Sequence, residues 1–132
     1  SFFRLARGDC ADLFAACEAR GITRVVLAGA GDLCEIATLA AHDSGVSVVA
    51  ILDDETNRRQ FAGAPVVREL SLLDQDQADA VVITDIKDPQ AVYDRLVGHL
   101  GADKVLFPSL LRLSTCPPGI AQGTTSTRRG QP

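Results

Sequence analysis

Arg24-Val-Val-Leu-Ala-Gly-Ala-Gly-Asp-Leu-Cys-Glu-Ile-Ala37 is the stretch whose reading decides the fold. Val25 to Ala28 form an unbroken apolar run, which suits a strand buried on both faces of a parallel sheet. Gly29 and Gly31 follow at once and predict a tight turn whose main-chain amides are open to close approach. Leu33, Ile36, Ala37 and Ala40 then recur at helical spacing, so a helix is expected from Asp32 to about Ser44, stopped by Gly45.

The same alternation extends outward in both directions. Upstream, Asp9 is the expected cap of a helix ending near Arg20, with Leu13, Phe14 and Cys17 as its apolar stripe and Gly21 as its stop. Residues 1–8, with Phe2, Phe3, Arg4 and Arg7, are read as a linker from an upstream segment. Downstream, Val46–Leu52 is a second buried strand that runs into Asp53-Asp54-Glu55. The polar stretch Thr56–Gly63 is a surface excursion. Pro65-Val66-Val67 forms a short third strand, and Glu69–Gln75 a brief helix. Ala80–Ile83 is a fourth strand ending at Thr84-Asp85. Asp88-Pro89 then starts a helix as cap plus first-turn proline, with Val92, Leu96, Val97 and Leu100 as its apolar face and Gly101 as its stop. Lys104–Phe107 is a fifth strand, closed by Pro108, and Leu110, Leu111 and Leu113 add a packed turn or an edge strand.

Residues 9–114 thus form one α/β domain, and 115–132 a Pro/Gly/Thr-rich tail without a core of its own. Strands alternating with helices predict a doubly wound parallel sheet of about five strands, ordered 3-2-1-4-5, with helices on both faces. Ligands of such sheets sit at the carboxyl ends of the strands near the switch in strand order. Those ends here are Gly29–Gly31, Asp53-Asp54, Thr84-Asp85 and Pro108-Ser109.

With 132 residues, the chain is long enough for a single domain that buries roughly two-thirds of its unfolded surface. The chain begins at Ser1 and holds no methionine, which predicts a fragment of a longer protein. A net charge of −4 argues against direct nucleic-acid contact by this domain. No apolar run approaches a membrane span and no signal peptide is visible, so a cytoplasmic location is expected. Cys10, Cys17, Cys34 and Cys116 form no Cys-x-x-Cys pair, and His42 and His99 stand far from them, so no metal site is expected. The cysteines read as buried thiols. A redox role for Cys34, at a helix start where amides lower a thiol pKa, is the alternative.

The chemistry centres on Gly29, Ala30, Gly31, Asp32 and Leu33. A dinucleotide fingerprint has the form Gly-x-Gly-x-x-Gly, and Cys34 stands where its third glycine belongs. Asp53, 24 positions after Gly29, matches the downstream acid that binds ribose hydroxyls. Asp32 and Glu35 read as a capping box, which would place a carboxylate on the amides a diphosphate needs. Two readings of the turn therefore stand side by side: a nucleotide site, and a degenerate structural turn. Asp53 and Asp54 are either hydroxyl ligands or solvated charges, with Asp54 facing solvent. Arg58 and Arg59 are phosphate contacts or solvated charges. Thr84 and Asp85 approach the ligand, unless Asp85 caps the next turn. No nucleophile elbow, phosphate-binding Gly-Lys-Ser/Thr loop or acid–base pair is present, so no catalytic residue is assigned.

From Arg24 to about Phe107 the chain resembles small Rossmann-like modules. The closest comparison is the ligand-sensing domain of the Rex redox-sensing repressors. The residues that carry it are Val25–Gly31, Ala50–Asp54, Phe61–Val66, Ala80–Ile83 and Gly101–Pro108. CoA-binding domains and the amino-terminal nucleotide-sugar-binding domains of bacterial sugar acyltransferases are similar, the latter through Asp53-Asp54 and Gly63-Ala-Pro-Val66. The resemblance implies NAD(H) or another nucleotide as ligand, a homodimer and a regulatory role in a transcriptional regulator. The sugar-acyltransferase likeness implies instead a nucleotide-sugar module of an enzyme whose catalytic domain lies elsewhere. A degenerate module used only for dimerisation is the third expectation.

Overall fold

Nine main elements are described in the computed structural model, which covers residues 1–72 and 75–115. They are α1 (Phe2–Ala19), β1 (Arg24–Ala28), α2 (Asp32–His42), β2 (Ser47–Leu52), β3 (Gln60–Phe61), β4 (Ala64–Val67), β5 (Ala80–Ile83), α3 (Pro89–Leu100) and β6 (Val105–Leu106). The strands form one sheet in the order β3-β4-β2-β1-β5-β6. β1 pairs in parallel with β2 and β5, β2 with β4, and β5 with β6.

Side chains alternate along β1, and this alternation divides the core. Val25 and Leu27 pack with Cys10, Phe14 and Cys17 of α1 and with Leu33 and Ile36 of α2. Val26 and Ala28 face the other way, toward Tyr93 and Leu96 of α3. Helices therefore cover both faces, and β1 is buried on both sides, as its unbroken apolar run predicts. Tyr93 meets Phe107 edge to face, with ring centroids 5.4 Å apart and an interplanar angle of 87°. That geometry suits the opposed charge of ring edge and ring face.

Three features depart from expectation. The five expected strands keep their neighbours, but β3 adds a sixth, antiparallel to β4, so the sheet is mixed. Its hairpin turns through Ala62 (φ 50°) and Gly63 (φ 83°), two successive positive φ values of the kind that matches strand twist. The second departure is α1, which begins at Phe2, so residues 2–8 of the expected linker are helix and Ser1 is its cap, accepting from the Arg4 amide at 3.4 Å. Ala6 is fully buried in line with Cys10, Phe14 and Cys17, while a Cβ on Gly8 would meet nothing, so Gly8 costs only propensity, about 1 kcal/mol. In the third, two 3-10 turns, Leu70–Leu72 and Gln75–Gln77, replace the brief helix expected over Glu69–Gln75. Leu110 and Leu111 form a packed turn with Ser109, not an edge strand. The expected tail lies, from residue 116 on, outside the described residues, and Cys116 with it.

Candidate functional site

The carboxyl end of β1 is built from short, directed contacts. The Gly29 amide donates to the Leu52 carbonyl at 2.9 Å, while the Thr84 and Asp85 amides both donate to the Ala28 carbonyl at 3.0 Å. The Thr84 hydroxyl donates to the Gly29 carbonyl at 2.6 Å. These bonds draw the end of β5 against Gly29. A Cβ there would lie 2.6 Å from the Asp85 backbone, and φ is +119°, so only glycine fits.

Gly31 is different. Its φ of 164° is extended backbone open to any residue, and a Cβ on it would meet no atom within 4 Å. Nothing in the protein's own packing requires glycine at this position. Gly31 is also the N-cap of α2, and no side chain caps the helix. The expected capping box is therefore absent. Asp32 is already the first helical residue, whereas a capping side chain belongs to the non-helical residue before it. Asp32 is exposed, Leu33 is fully buried in the α1/α2 core, and no side chain at the N-cap accepts from the amides of the first turn.

Asp53 does reach the turn, but as a brace. Its Oδ2 accepts from the Ala30 amide at 2.8 Å, and its Oδ1 accepts from the amides of Glu55 at 2.8 Å and Thr56 at 3.0 Å. Burial works to raise the Asp53 pKa, but the Ala30, Glu55 and Thr56 amides and the Lys87 charge outweigh it and hold the group below its ordinary value. A carboxylate has about four acceptor positions, so one is left on Oδ2 for an outside donor such as a hydroxyl.

The other expected residues divide. Thr84 is only 2% exposed and its hydroxyl is spent on Gly29, so it is a strut of the turn. Asp85 caps the following bend, its Oδ2 accepting from the Asp88 amide at 2.8 Å. Asp54 stands apart, exposed, with its carbonyl held by Arg68 at 2.6 Å. Arg58 lies over the Phe61 ring, 5.3 Å from its centroid.

Cys34, in place of a third glycine, is fully buried. Burial pushes its thiol up to about 11, against the smaller opposing pull of the Thr84 hydroxyl and the Gly31 amide. A neutral thiol is a poor nucleophile, so the helix start does not activate it. Cys10 and Cys17 are likewise buried and free, and burial raises both thiols.

Lys87 has no signal in the sequence. Its Nζ lies 3.2 Å from Glu55 Oε1, joining the loops that follow β5 and β2, the two strands flanking β1. Both side chains are mostly exposed, so the pair adds little stability, but it places the nearest cation beside Asp53. Among the described residues, no three His, Cys, Asp or Glu side chains gather as a metal site, and no helix is long and apolar enough to cross a membrane.

Fold and site together define an α/β protein with a glycine turn at the carboxyl end of its central strand. Comparison with protein-family models, with curated proteins and with solved structures finds no match to this chain.

Proposed function

We propose that this domain is a non-catalytic sensor that binds a nucleotide or nucleotide-sugar over Gly29–Leu33, as part of a dimeric transcriptional regulator. The observation that carries the reading is the contrast between the two glycines. Gly29 is demanded by the Asp85 backbone, whereas Gly31 borders open space beside uncapped amides. A glycine that the protein's own packing does not require leaves room for something from outside.

The surrounding charge narrows the ligand. Asp32, Glu35, Asp53 and Asp85 lie on or beside the turn, and Lys87 is the cation whose charge acts on Asp53. Full diphosphate charge meets repulsion there, while a hydroxyl-bearing group finds the remaining Asp53 acceptor. A nucleotide-sugar or a ribose edge therefore suits the turn better than a bare pyrophosphate, and NAD(H) would enter by its ribose. Bound ligand would bias the arrangement of two protomers, and through it the attached domains.

A second reading has its own support. Asp53, Thr84 and Asp85 are each engaged inside the protein, which is also what a structural turn in a dimerisation module would show. Thermal unfolding in millimolar NAD(H), NADP(H), CoA and UDP-sugars separates the two. A rise in melting temperature with a UDP-sugar or NAD(H) that Gly31→Val abolishes supports sensing. No rise with any of them, together with a stable dimer in sedimentation equilibrium, overturns sensing in favour of the structural role.

A further inference from the structure

The crossover from β4 to β5 runs on the α3 side of the sheet, and its described residues form 3-10 turns and no longer helix. A full helix there would roof the sheet beside α3. In its place is a groove of about 930 Å³, within the roughly 300–1,000 Å³ of small-molecule sites. Its floor is Val26, Leu52 and Val81, and half-buried Leu70, Ala78 and Leu100 supply apolar surface at its sides. None of the turn residues Gly29–Leu33 lines it.

The charges around this groove are unequally used. Asp79 is held by the Arg24 guanidinium at 3.1 Å and by the Thr23 and Arg24 amides at 3.0 Å. Glu69 accepts from the Ser71 hydroxyl at 3.2 Å. Arg68 spends both terminal nitrogens on the carbonyls of Thr56 and Asp54. Arg95 and His99, one turn apart on α3, and Lys104 also line the groove, and their side chains make no hydrogen bond or ion pair among the described residues. Asp54 and Asp76 also line the groove, so its acids gather on the side of β2 and the crossover, whereas the charged lining residues of α3 and of the turn after it are all bases.

We infer that this groove is a second binding site, for a small organic anion with an apolar body, such as a medium-chain carboxylate. The apolar part lies along Leu70, Ala78 and Leu100, and the anionic head meets Arg95 and Lys104, with His99 beside them. Apolar contact and charge act together, so a ligand with only one of them binds less well.

The test is a titration of the full chain with decanoate, decanol and acetate, followed by backbone amide chemical shifts. Decanoate is expected to move the Val26, Val81 and Leu100 signals saturably and leave Gly31 and Asp32 in place. Decanol is expected to bind about tenfold more weakly, and acetate not at all. The double variant Arg95→Gln/Lys104→Gln, both sites being exposed, should keep the native spectrum and lose about tenfold in decanoate affinity. Equal binding of decanol and decanoate, or an unchanged affinity in the double variant, overturns the inference. Shifts of the same groove signals on raising protein concentration without decanoate also overturn it, because a second copy would then be the occupant.

Discussion

The two ends of β1 are braced alike and leave different things over. At its start, Asp79 accepts from the Thr23 and Arg24 amides at 3.0 Å and pairs with the Arg24 guanidinium, so donors and carboxylate are all matched. At its end, Asp53 takes the Ala30 amide, Thr84 takes the Gly29 carbonyl, and the bracing stops at Gly31. Beyond it lie open space and an uncapped helix turn. A brace that matches every donor closes an edge of the fold, and one that stops short leaves polar groups unspent.

The largest effect expected from breaking this comparison is at Gly29. Gly29→Ala puts a Cβ 2.6 Å from the Asp85 backbone at a φ of +119° and should cost about 3 kcal/mol in denaturant unfolding. Gly31→Ala should change stability by less than about 0.5 kcal/mol, because nothing stands in the way of its methyl group. Equal losses would erase the distinction between the two glycines. Next is Asp53→Ala, which strips an acceptor from three amides and should cost about 2 kcal/mol by the same measurement.

The brace at the other end answers to acid. The Arg24 side chain, with the Thr23 and Arg24 amides, lowers the Asp79 pKa from 3.8 to about 2. A group depressed on folding stabilises the native state above its unfolded pKa and loses that contribution as pH falls through its folded pKa. Wild type should therefore melt above Asp79→Asn at pH 5, and the gap should close between about pH 4 and pH 2. A gap independent of pH would mean that charge is not what Asp79 contributes. The smallest effect belongs to Asp32→Asn, expected at about 0.5 kcal/mol, since an exposed acid in the first turn interacts only with the helix dipole. A loss several times larger would restore Asp32 as a cap.

Much of this fold is legible in the sequence. Val25–Ala28, Val48–Leu52 and Ala80–Ile83 are apolar on both faces, and that pattern belongs to central parallel strands. Asp88-Pro89 starts α3 as read, with Asp88 accepting from the Ala91 amide at 3.4 Å. The early start of α1 was hidden because Phe2, Phe3 and Leu5 are exposed and break the apolar stripe, while Gly8 looks like a stop. β3 was hidden because its turn puts Ala62, not Asn or Asp, at positive φ. At the site, the glycines and Asp53 were legible as neighbours. Their roles were not, because identity cannot say which Cβ would clash or which amide a carboxylate faces. Lys87 became a neighbour of Asp53 only through the parallel pairing of β1 with β2 and β5.

We propose that the end of β1, and not its start, meets a ligand. Backbone amide shifts recorded during titration with NAD(H) and with a UDP-sugar test it most directly. Saturable movement of Gly31, Asp32 and Leu33 is expected with at least one of them, while Thr23 and Arg24 hold still. Stationary Gly31–Leu33 signals at millimolar concentrations of both, or equal movement at both ends of β1, would contradict it.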